Sequence, residues 1–211
     1  MADKSALIIA CGALAREIIA LREANGWAHL DVQCLSAELH NTPDRIPNAV
    51  RKTIEANRDR YSAMFVAYGD CGTGGQLDEV LMKEGVERIP GVHCYEFFAT
   101  RDVFEELADA EPGTFYLTDF LARHFDRIVI RGLGLDRYPE LATQYFGNYR
   151  RLVYLAQVYS PERIAEAKVA AERLGLTFEY RLTGYGELET SLTTFSKHSR
   201  TIPIGVAACQ N

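Results

Sequence analysis

The chain has 211 residues, 47% hydrophobic and 25% charged, with a formal net charge of -6. That length suits one generous or two small globular domains, and no apolar stretch approaches the roughly 18 residues of a membrane span. Charges of both signs are mixed; the densest basic region, Arg45 to Arg60, is interleaved with acids (Asp44, Glu55, Asp59) and reads as a solvated helix face, so nucleic acid is not an expected partner.

Met1-Ala2-Asp3-Lys4-Ser5 runs straight into a short apolar stretch without the features of a signal peptide, so a cytoplasmic protein is expected. Its five cysteines then read as packing residues, nucleophiles or metal ligands rather than as a disulfide framework. Residues 5–10 form a buried strand, followed by Cys11-Gly12 and a helix over 13–25 with Leu14, Ile18, Ile19 and Leu21 at helical spacing. Residues 30–35 are a second strand. Asn41-Thr42-Pro43-Asp44 signals a helix start, and Pro47 suits a first turn of a helix reaching Asn57. Residues 63–68 are the third strand, ending in Gly69-Asp70-Cys71-Gly72-Thr73-Gly74-Gly75, which opens a helix carrying Leu77, Val80, Leu81 and Met82. A short fourth strand over 86–92 and a helix over 94–106 follow.

A second series begins after Glu111-Pro112-Gly113, the most turn-like tripeptide in the chain. Residues 114–117 are strand-like, 126–131 read as a clearer strand closed by Gly132-Leu133-Gly134, and helix signals cover 139–146. A strand over 151–156, a helix over 161–174 and a strand over 178–182 complete the pattern, with Gly184-Tyr185-Gly186 as a turn. Strands alternating with helices indicate parallel sheets. The expected fold is α/β, with two small Rossmann-like parallel-sheet halves and a cleft between them. Residues 1–112 carry the cysteine loops, and residues 113–211 close the cleft.

Ligands of open parallel sheets bind beyond the carboxyl ends of the strands. Cys11 follows the first strand, Cys71 the third and Cys94 the fourth, each near a helix start whose dipole favours thiolate. Cys34 reads as core of the second strand and Cys209 as incidental, while His29, His124 and His198 read as surface residues. The backbone of Gly69, Gly72, Thr73 and Gly74, with Gly12 after the first strand, suits an anionic cofactor group. A nucleotide is disfavoured, because the loop lacks both the Walker lysine and G-x-G-x-x-G spacing. Asp70 is the candidate catalytic acid or base. Imidazole with thiolate suits zinc or iron, which makes Cys11, Cys71, Cys94 and His40 the candidate metal ligands. His93 is discounted because neighbours on a strand end point opposite ways. Without C-x-x-C spacing, such a site is open rather than structural.

Leu7-Ile8-Ile9-Ala10-Cys11-Gly12-Ala13-Leu14, Leu39-His40, the segment from Tyr68 to Gly75, the stretch around His93-Cys94 and Gly113-Thr114-Phe115-Tyr116-Leu117-Thr118 resemble the family called domain of unknown function 1638. The resemblance covers nearly the whole chain. It implies the company of corrinoid-dependent and methylamine-type methyltransferases, and so one-carbon metabolism by association. Three functions are expected in turn. The first is a metal-thiolate protein of methyl transfer holding zinc or iron; the second is a metal-free enzyme using Cys71 or Cys11 with Asp70 or His40. The third is a non-enzymatic module for a cofactor or partner. The expected partners are a small-molecule ligand and a corrinoid methyltransferase system, with no membrane.

Overall fold

The computed structural model describes residues 6–201; Cys209 lies outside them. The chain packs as two compact units. One is built from residues 6–93 together with residues 188–201, the other from Cys94–Glu187. This division differs from the expected one at 112/113: the helices after residue 93 go with the second unit, and the last helix returns to the first.

In the first unit β1 (Ala6–Cys11), β2 (Leu30–Leu35), β3 (Ala63–Ala67) and β4 (Glu87–Arg88) form a parallel sheet in the order β2-β1-β3-β4. β1 buries all six of its residues, which is why its sequence is an unbroken apolar run. β2 is an edge strand that buries only Leu30 fully, and Cys34 is exposed. The expectation that Cys34 is core fails because a rim strand is paired on one side only. β4 is far shorter than expected: Ile89 still donates to the Val66 carbonyl at 3.1 Å, but Pro90 has no N–H to continue the ladder.

Helices α1 (Ala15–Ala24), α2 (Ile46–Asn57) and α3 (Gln76–Glu84) link these strands. They bury Ile18 and Leu21, then Ile46, Val50 and Ile54, then Leu77 and Leu81, at the three- and four-residue spacing of an inward helical stripe.

In the second unit β5 (Thr114–Leu117), β6 (Arg151–Ala156) and β7 (Thr177–Leu182) are parallel in that order. β6 is central, and its side chains alternate between two cores. Leu152, Tyr154 and Ala156 join Leu117, Ala122, Phe125 and Val129; Val153 and Leu155 join Ala99, Leu107 and Tyr116. Around them lie α4 (Cys94–Ala99), α5 (Arg101–Ala110), α6 (Asp119–Arg123), α7 (Leu141–Phe146) and α8 (Pro161–Leu174). Asp126–Arg131 is not a strand but a π-helical segment. Its β-branched residues favour extended backbone, yet Ala122, Phe125 and Val129 reach the core only at helical spacing, and that packing prevails.

The final helix, α9 (Gly186–Thr201), is rich in serine and threonine, weak helix formers that hide it from a sequence reading. It buries Leu188, Leu192, Ser196 and Ser199, and Phe195 stacks on Phe65 with centroids 5.1 Å apart. His29 Nε2 lies 3.2 Å from the Ser196 carbonyl, so this histidine ties the β1–β2 connection to α9 rather than idling on the surface.

Candidate functional site

In the order β2-β1-β3-β4 the chain leaves β1 toward one edge and crosses back to β3, so the loops after β1 and β3 diverge. The carboxyl ends at such a switch point are where open α/β sheets take ligands. Cys11 ends β1. The register pairs Ala10 with Ala67, and Tyr68, which follows the last residue of β3, is close enough to Cys11 to act on its thiol. Gly12 serves this junction through backbone contact: a Cβ there would sit 2.9 Å from the Leu35 carbonyl oxygen.

His40 reaches the same edge from a short 3-10 helix after β2, Ala37–Asn41. Its Nδ1 is 3.8 Å from Cys11 Sγ and 3.0 Å from the Ala37 carbonyl, and its ring stacks on Tyr68 with centroids 6.4 Å apart. A carbonyl can only accept, so Nδ1 carries the proton and Nε2 is the basic nitrogen. Although much of the ring is exposed, the desolvation of its packed side lowers its pKa, aided by nearby His93 and opposed by the Ala37 carbonyl. The imidazole is therefore neutral near pH 7.

Cys71 occupies left-handed backbone, φ 51°, followed by Gly72 at φ 83°. For a cysteine that conformation costs about 1–2 kcal/mol, so neighbours must enforce it. Cys71 N–H donates to the Val92 carbonyl at 2.9 Å and Asp70 N–H to that of Gly91 at 3.1 Å. Gly69 permits this approach, since a Cβ would meet the Val92 oxygen at 2.9 Å. Arg88 steadies the facing loop, donating through Nη1 to the carbonyls of Ile89 (2.7 Å) and Gly91 (3.0 Å) while Nε and Nη2 grip Asp78 (2.6 and 2.9 Å).

The glycine loop satisfies its own donors. The Asp70 carboxylate accepts from Thr73 Oγ1 at 2.7 Å, Gly75 N–H at 2.8 Å and Gly74 N–H at 3.2 Å. Of the groups expected to cradle a cofactor anion, Thr73 and Gly74 are thus engaged by an internal carboxylate. Burial alone would raise the Asp70 pKa, but these bonds together hold it below the usual carboxylate range. Asp70 is held as an ionised clasp of its own loop.

Helix-start dipoles were expected to make the cysteines thiolates. The opposite holds for two of them, because desolvation outweighs the dipole. Burial pushes Cys11 up to about 12 against a backbone bond from Ala13, and Cys71 up to about 11 against one from Gly69. Of the expected metal set, Cys11 and His40 are brought together within the first unit, which also holds Cys71; Cys94 begins α4. Among the described residues no group of three or more His, Cys, Asp or Glu is placed to share a metal ion. In the sequence Tyr68 reads only as the tail of a strand. Its one signal is its place after β3, opposite Cys11.

A family model described as "Protein of unknown function (DUF1638)" matches residues 34–192, more than half of the chain. The chain belongs to the DUF1638 family. The match includes His40, Tyr68 and the whole glycine-cysteine loop of this DUF1638 protein, and Cys11 precedes it. No curated protein and no solved structure matches the chain. Among the described residues no helix is long and apolar enough to cross a membrane.

Proposed function

We propose that this DUF1638 protein moves protons on a small molecule bound at the carboxyl edge of its four-stranded sheet, using uncharged thiols and an imidazole and no metal. The observation that carries this reading is the Cys11–His40 pair at 3.8 Å, with Tyr68 stacked on His40 and Cys71 near enough to act on the charge of Cys11. A neutral imidazole with a free Nε2 takes a proton from the bound molecule, and a thiol that holds its proton at pH 7 gives one back; solvent resets both groups. Such thiols need a reducing compartment, which the cytosol provides. The link to corrinoid-dependent methyl transfer rests on the family resemblance alone.

The metal-thiolate reading is favoured by the 3.8 Å Cys11–His40 pair, a spacing two ligands of one ion adopt, but it needs further donors. Alkylation by iodoacetamide, mapped by mass spectrometry, separates protonated from ionised thiols. Cys71 should react slowly at pH 7, its rate rising about tenfold per pH unit toward pH 10. Fast alkylation of Cys71 at pH 7 that is flat with pH would mean a standing thiolate and end the proton-donor role.

A further inference from the structure

Tyr68 is 1% exposed, and its hydroxyl oxygen is buried with no hydrogen-bond partner among the described residues. Buried side-chain polar atoms are overwhelmingly partnered, so an orphaned hydroxyl asks what it waits for. Tyr68 directly follows β3 beside the end of β1, within reach of Cys11, and His40 lies over its ring. The Cys11 sulfur already accepts the Ala13 N–H at 3.4 Å and has His40 Nδ1 at 3.8 Å.

We infer that Tyr68 is a positioning residue for Cys11, its hydroxyl completing, with the Ala13 N–H and a His40 Nδ1–H shared with the Ala37 carbonyl, the ring of donors around that sulfur. The inference rests on the thiol reading above and names Cys11 as the second proton carrier of the site. A thiol is a weak acceptor, so while Cys11 is protonated the hydroxyl holds the sulfur only in a weak contact. Once the S–H proton has passed to the bound molecule, the sulfur is an anion and draws charge-assisted bonds from the Tyr68 hydroxyl and the Ala13 N–H, with the shared His40 Nδ1–H beside them. Tyr68 keeps its own proton throughout; burial, followed by the charge of Cys11, pushes its pKa well up, so it donates without ionising. The sulfur regains its proton from solvent. Cys71 and Cys34 are the other thiols whose charge reaches Cys11.

Tyr68→Phe keeps the ring and removes only the hydroxyl. At pH 9, iodoacetamide should alkylate Cys11 about tenfold more slowly in the variant when its rate is divided by that of Cys71, as expected for the loss of one bond to a charged sulfur. The ratio guards against a loosened fold, which would speed both thiols together. His40→Ala should lower the same ratio. A Cys11:Cys71 ratio in Tyr68→Phe that is unchanged or higher overturns the inference. Stoichiometric metal in the wild-type protein would instead overturn the metal-free reading, and the ratio measured on stripped protein would still judge the donor ring.

Discussion

At the scale of single residues, Asp70 shows a donor-rich loop closing on its own carboxylate. Asp70→Ala should lower stability by about 1–2 kcal/mol in urea unfolding, toward the lower end because the carboxylate is partly solvated. Since folding lowers its pKa, Asp70 contributes above its unfolded value of about 4, and that stability is lost as pH falls toward the folded value. His29 follows the same sign. Burial and then Arg200 lower its pKa, so its contribution is full above about pH 6.5 and lost on acidification below it. The melting temperature should therefore fall between pH 7.5 and 5.5, and less so in His29→Gln; an identical fall would show that His29 takes no part. The positions of Cys11, Cys71 and His40 were legible because each follows a strand. Their protonation was not, because desolvation and the occupancy of Gly74 and Gly75 by Asp70 arise only when distant segments pack.

At the scale of elements, punctuation made α8 readable. Ser160 caps it, accepting from Arg163 N–H at 3.3 Å, Pro161 fills its first turn, and Gly175 ends it at φ 69°. Residues 126–131 misled because Ile and Val favour strands locally while the core beside β6 selects helical spacing. Val129, 5% exposed, should cost roughly 1–3 kcal/mol when cut to Ala. α9 escaped notice because serine and threonine mask it, yet Phe195 anchors it on Phe65. Phe195→Ala should cost about 2–3 kcal/mol, measured in the unfolding of the first unit. An effect under about 0.5 kcal/mol, the size typical of surface changes, would show that α9 does not hold that unit together.

At the scale of the whole molecule, alternation of strands and helices was enough to foresee two parallel sheets. It was not enough to foresee that the chain crosses out of the first unit after His93 and returns at Leu188, since that depends on which surfaces the last helix covers. A chain ending at Glu187 should lose the cooperative unfolding of the first unit while β5-β6-β7 keep theirs. The thiols at the switch point belong to that first unit, and the account stands on their being free of metal. Its most direct test is the zinc and iron content of protein purified without chelator. The account predicts less than about a tenth of an equivalent, the same in Cys11→Ser and His40→Ala. A full equivalent in the wild type that either substitution abolishes would contradict it.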